Sequence, residues 1–170
     1  MKSSQAAGRG RGSLIRRALV CIPAVLLLGR LSGAAAGSSA EDPWFAALAK
    51  PEIYPPAATF PIVWSILYVL MGLAFAMVVA EKGSPWRKPA LIAFAVQLAL
   101  NLAWSPVFFA AHQIIAALLI LLVLDVAVIA TAAMFWRVRR PAGWLMLPYL
   151  VWSLFATVLN WQVLQLNPAA

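Results

Sequence analysis

Long runs of apolar residues, separated by short polar or proline-rich connections, dominate the pattern of this chain. Pro61–Ala80, Ala90–Ala111, Ile114–Trp136 and Trp144–Leu166 are each about 20 residues or more, enough for a helix to cross a hydrocarbon core of ~30 Å. An earlier stretch, 18–37, is weaker. Its apolar centre, Ala18–Gly29, is short and is followed by Arg30 and small residues from Ser32 to Ala40. A basic start, a short apolar centre and an Ala-Ala-Ala-Gly run fit a cleaved signal peptide; a retained span with Arg30 snorkelling or facing the bundle also fits. We prefer the retained span. The expectation is then an all-α fold, an integral membrane bundle of five transmembrane helices at about 18–37, 61–80, 90–111, 114–136 and 144–166. These lie in one domain, 18–167, after a basic, disordered tail, 1–17.

Between the first two spans the pattern breaks. Four prolines, Pro51, Pro55, Pro56 and Pro61, fall within eleven residues. Each sets its own φ and moves the residue before it out of the α region, so this segment is a shaped, non-helical loop. Pro61 suits the first turn of the helix that follows. The loop also carries Trp44, Phe45 and Tyr54, and it is expected to act as a lid over the bundle.

Composition supports the membrane reading. The chain is 64% hydrophobic and 11% charged, with a mean hydropathy of +0.89, whereas a soluble domain is about 45–50% apolar. The net charge of +8 would suit nucleic acid if the arginines shared a polar face. They flank apolar runs instead, at Arg9, Arg11, Arg16, Arg17, Arg137, Arg139 and Arg140, so no nucleic-acid partner is expected and the charge is topogenic. The loops alternate in charge. The N-terminal segment, the Glu81–Lys88 loop and the Arg137–Arg140 loop are positive overall; the loop with Glu41, Asp42 and Glu52 is acidic, Ala111–Gln113 is nearly neutral, and the C-terminus has no charged side chain. The positive-inside rule places the N-terminus in the cytoplasm and the C-terminus outside. The lone Cys21 excludes an internal disulfide.

Trp86, Trp136 and Trp144 border the basic loops and are expected to anchor the interface. Other aromatics keep polar company at helical spacing. Gln97, Asn101, Trp104 and Phe108 share one face; Tyr149, Trp152, Ala156 and Asn160 share another; Trp64 and Tyr68 are i and i+4. Amides facing lipid without partners are costly, so these faces point inward and predict a concave aromatic site for a flat, largely apolar ligand. Lys50 would meet either an acidic ligand group or lipid phosphate. Asp125, near the centre of the fourth span, is a functional suspect or a hydrogen-bonded packing residue, with Arg30 or a hydroxyl as partner. His112, the only histidine, has no nearby Cys or carboxylate, so no metal is expected. No paired carboxylates, and no nucleophile beside a base, suggest hydrolytic catalysis.

Several separated motifs then carry a resemblance. Trp44-Phe45-Ala46-Ala47-Leu48-Ala49-Lys50-Pro51, Pro55-Pro56, Phe60-Pro61, Val63-Trp64, Leu67-Tyr68 and Leu70-Met71-Gly72 are followed by Gln97, Leu100-Asn101, Trp104-Ser105 and Phe108-Phe109, and then by Pro148-Tyr149, Trp152, Phe155-Ala156 and Leu159-Asn160. Over residues 18–167 the chain resembles the TspO/MBR family, the tryptophan-rich sensory proteins related to the mitochondrial translocator protein or peripheral benzodiazepine receptor. The resemblance implies a bacterial envelope protein, a homodimer of five-helix bundles, with a pocket for porphyrins and isoquinoline-type ligands beneath the lid. By position the pocket would comprise Trp44, Phe45, Pro55, Trp64, Tyr68, Asn101, Trp104, Trp152 and Ala156, with protoporphyrin IX or haem as ligand and no required cofactor. Light-dependent breakdown of protoporphyrin, linked to the family, would fall to Trp64 and Trp152. Ala103 with Val107 and Phe108 resembles the dimer patch. The implied role is a porphyrin-binding sensor or receptor acting in porphyrin metabolism or stress, with a transporter and a light-driven degrading enzyme as alternatives. The chain departs from the family pattern at Phe45, usually Tyr, and at Tyr54, often Trp. No basic residue follows Arg140, which speaks against sterol binding.

Overall fold

The computed structural model describes residues 2–38 and 42–168, with side chains from Ser13 onward; Glu41 of the acidic loop and the side chains of Lys2, Arg9 and Arg11 lie outside the described residues. The elements are α1 (Lys2–Ala35), α2 (Pro43–Ala47), α3 (Thr59–Ala80), α4 (Arg87–Ser105) with a π-helical turn (Pro106–Ala110), α5 (Ile114–Val138), α6 (Arg140–Leu145) and α7 (Leu147–Leu166). Five stretches are long and apolar enough to cross a membrane: Ser13–Ala35, Thr59–Ala80, Arg87–Ala110, Ile114–Val138 and Arg140–Leu166. The chain is an integral, multi-pass, all-helical membrane protein. Backbone ahead of the expected first span, from Lys2 onward, is helical too.

Two prolines shape the spans. Pro106 has no N–H to give the Leu102 carbonyl four residues back. Ser32 of α1 fills the gap, its hydroxyl donating to Leu102 O at 2.6 Å. Beyond Pro106 the helix widens, and the Ala111 N–H reaches Pro106 O, five residues back, at 2.9 Å, the π pattern. Pro148 likewise denies an N–H to Trp144 O, and the fifth span is divided at Met146 into α6 and α7.

α1 packs chiefly on α3, and α5 packs on α4, α6 and α7. At Gly72 the α1 and α3 backbones come so close that a Cβ would lie 2.6 Å from Ile22 Cα; small residues permit such approach between helices in lipid. The end bearing Arg87, Arg137 and Arg140 is filled solid. Met71, Ala74, Val78, Ala90, Phe94, Val128, Phe135 and Met146 are buried there. The rings of Phe75, Phe94 and Phe135 stack in series at 4.4 and 5.7 Å. Ile62, Ile66, Ile92, Val96, Val123 and Val126 are exposed, as lipid-facing positions should be. Trp86, Trp136 and Trp144 are also exposed, with the Arg137 guanidinium 4.4 Å from the Trp86 ring centre and Trp136 edge-on to Trp144. That arrangement is an interfacial belt.

A ligand-sized cavity beneath the proline-rich loop

At the opposite end the same five spans part around a cavity of about 820 Å³, within the ~300–1,000 Å³ usual for ligand pockets. Its floor is a hydrogen-bonded layer. The Tyr68 hydroxyl donates to Asn101 Oδ1 at 3.0 Å, and Asn101 Nδ2 donates to the Tyr149 hydroxyl at 3.1 Å, joining α3, α4 and α7. Tyr68 can lie where it does because α1 has Gly29 beneath it, where a Cβ would be 2.2 Å from the phenol ring. A second tie holds the wall. Trp104 Nε1 donates to Asn160 Oδ1 at 3.2 Å, and Asn160 Nδ2 donates to Ile114 O at 3.0 Å, so one amide joins α4, α7 and the start of α5. These amides are satisfied by protein, as a low-dielectric setting demands. Trp64, stacked on Tyr68, and Trp104, stacked on Phe108, line the cavity together with Trp152.

The lid is built on α2. Asp42 caps it, its Oδ1 accepting the Phe45 N–H at 2.8 Å, with Pro43 in the first turn, a helix start both residues favour. The Lys50 ammonium closes the other end, donating to Phe45 O at 2.8 Å and Leu48 O at 3.2 Å while lying 4.6 Å from the Phe45 ring centre. Lys50 therefore serves the lid's own carbonyls. From there Phe45, Tyr54, Phe60 and Trp152 succeed one another at 5.3 to 6.1 Å between ring centres, forming the roof. Burial pushes the Tyr54 phenol up to about 12, so it is a neutral hydroxyl at any ordinary pH. A latch joins the lid to the end of α7: Ala49 N–H donates to Asn167 Oδ1, and Asn167 Nδ2 donates back to Ala49 O, both at 2.9 Å.

Eight of the nine residues expected in the pocket line this cavity: Phe45, Pro55, Trp64, Tyr68, Asn101, Trp104, Trp152 and Ala156. Trp44 does not. On a one-turn helix neighbouring side chains point about 100° apart, so with Phe45 turned inward Trp44 lies elsewhere, stacked on His112 at 4.3 Å and edge-on to Phe108. It pins the lid to the turn before α5. Of the three residues expected at a dimer contact, one is covered within the bundle. Phe108 is 3% exposed and stacks on Trp104 at 5.1 Å. It keeps the inward face that its spacing from Asn101 and Trp104 predicts, while Ala103 is exposed and Val107 half-buried.

Asp125 does not line the cavity. Its partner is a hydroxyl, Thr157 Oγ1 donating to Oδ2 at 2.7 Å, while Oδ1 has no partner among the described residues. Gln97 is fully buried with neither end of its amide bonded, and Trp161 is exposed. Residues not assigned to the pocket beforehand also line the cavity, among them Phe60, Ser153 and the α1 stripe Leu27, Arg30, Leu31 and Ala34. That stripe has the i, i+3, i+4, i+7 spacing of one helical face. The signal was there, masked by the uncertain status of the first span. Asn167 had no local signal, because its partner lies 118 residues away in sequence.

Comparison with known proteins agrees with this architecture. The model of the TspO/MBR family matches residues 19–166. The "Tryptophan-rich protein TspO" of Chlorobaculum tepidum is 41% identical over 129 residues, 74% of this chain and 80% of that one. "Protein CrtK" of Rhodobacter capsulatus is 36% identical over 138 residues, 81% and 86% of the two chains. The bovine "Translocator protein" is 39% identical over 127 residues, 73% and 75%. With a match extending from α1 to the end of α7, across every helix that walls the cavity, the chain belongs to the TspO/MBR family.

Proposed function

We propose that this protein is a membrane receptor or sensor that holds a porphyrin-type tetrapyrrole in the cavity under the lid. The observation that carries the reading is the joint presence of Trp64, Trp104 and Trp152 on one cavity of about 820 Å³, a lining suited to the faces of a flat macrocycle. The lining has no His, Met or Cys among the described residues. This favours a metal-free macrocycle such as protoporphyrin IX over haem, whose iron takes an axial ligand most often from those residues. The solid packing of Phe94, Phe135 and Met146 beneath the floor supports a receptor over a transporter, which needs access from both sides. On this reading the N-terminus is cytoplasmic and the lid faces outward. A second copy would meet the face with Ala103 and Val107.

The test is titration of the reconstituted protein with protoporphyrin IX, read by quenching of tryptophan fluorescence. Trp64→Ala and Trp152→Ala are each expected to weaken binding by at least tenfold, while Trp86→Ala, at the belt, leaves it unchanged. Equal losses in all three would remove the cavity from the explanation. Trp64 and Trp152 also favour a second reading, in which their indoles hold a photoexcited macrocycle that dissolved oxygen oxidises, the oxygen taking up the electrons the macrocycle loses. Bleaching under light that persists in both variants would dismiss it.

A further inference from the structure

Among the described residues the cavity lining contains two cationic side chains, Arg30 and Lys50, and no carboxylate. They are not equivalent. The Lys50 ammonium is engaged by the carbonyls at the end of α2 and by the Phe45 ring. Arg30 lies on α1 five residues before the helix end at Ala35, roughly 7.5 Å from it along the axis. A guanidinium at that depth is costly unless it is paired or reaches polar surroundings. Around it the helix is pared down: Gly29 is beside it, Gly33 and Ala34 lie one turn on, and all three line the cavity. Leu27 and Leu31, also on the lining, are 58% and 63% exposed, so Arg30 stands where the cavity meets the outside of the bundle.

Aromatic faces line the interior and one arginine stands at its edge. Arg offers a planar fork of donors matched to a carboxylate. We infer that Arg30 recognises a carboxylate on the edge of the bound ligand, and so makes the cavity selective for flat apolar acids over their neutral analogues. This rests on the proposed tetrapyrrole-type occupant and adds the group by which that occupant is oriented.

The experiment uses the full chain in discs of zwitterionic lipid, titrated with protoporphyrin IX and separately with its dimethyl ester. In the wild type the acid is expected to bind about tenfold or more tightly than the ester, the scale of a charge-assisted hydrogen-bonded pair. Arg30→Gln is expected to abolish that preference and leave ester binding within about twofold. A second variant, Arg30→Leu, replaces the guanidinium by a side chain suited to lipid and is expected to abolish the preference in the same way. It decides the matter if Arg30→Gln does not fold. A wild-type preference retained in either folded variant assigns the guanidinium to lipid phosphate and overturns the inference. Equal binding of both ligands to the wild type overturns the inference but leaves the cavity reading intact, whereas binding of neither overturns both.

Discussion

The two ends of the bundle share five spans and a common lipid environment, yet one is solid and the other hollow. At the basic end the buried positions are Ala, Val, Met and Phe, and the phenylalanines stack face to face. The buried Thr131 hydroxyl there is spent on its own helix, donating to Ala127 O, so rings and methyl groups fill the space between helices. At the lid end the buried Tyr68, Tyr149, Asn101 and Asn160 and the half-buried Trp64, Trp104 and Trp152 join the apolar set. Their polar atoms hold one another at fixed points, Tyr68 to Asn101 to Tyr149 and Trp104 to Asn160. Directional bonds between long side chains brace the helices apart, whereas non-directional packing draws them together. A cavity in a membrane bundle is thus obtained by putting amphipathic aromatics where plain hydrophobes would have closed it.

If that contrast is right, truncation should cost stability at one end and binding at the other. Phe135→Ala, at a fully buried site stacked on Phe94, is expected to destabilise by about 3–5 kcal/mol, seen as a large fall in the midpoint of thermal unfolding. A shift no greater than that of Trp152→Ala would erase the distinction between the two ends. Asn101→Leu should cost less, about 1–3 kcal/mol, because it leaves two buried tyrosine hydroxyls without their shared partner. It should also weaken porphyrin binding; a variant with full stability and affinity would mean the floor is not held by this layer.

Gln97 offers a test of opposite sign. Both ends of its buried amide lack protein partners, so Gln97→Met, close in volume and apolar, is expected to stabilise by about 1 kcal/mol. A lowered unfolding midpoint would show that the amide contributes to folding. The smallest effect concerns the lid. Asn167→Ala removes both bonds to Ala49 and should speed ligand dissociation severalfold with little change in unfolding. Unchanged dissociation in stopped-flow measurements would show that the lid is held by the ring contacts of Trp44 and Phe45 alone.

Much of this was legible in the residues themselves. Unbroken apolar length sets the number of spans, because a helix is the only segment that satisfies its own backbone in lipid. Prolines 51 to 61 set the irregular lid, and 3.6-residue periodicity put Asn101 with Trp104 and Trp152 with Ala156 on inward faces. What periodicity could not decide was direction over one or two residues and partnership across long separations. Whether Trp44 or Phe45 faces the cavity depends on how a single turn of helix docks. Asp125 met Thr157, Leu102 met Ser32 and Ala49 met Asn167 only because the assembled bundle brought distant segments within 3 Å of one another. Local pattern determines which side chains must be buried, because that depends on a residue's own chemistry and spacing. Which partners they find, and whether space remains among them, is a property of several helices at once and exists only once they have packed.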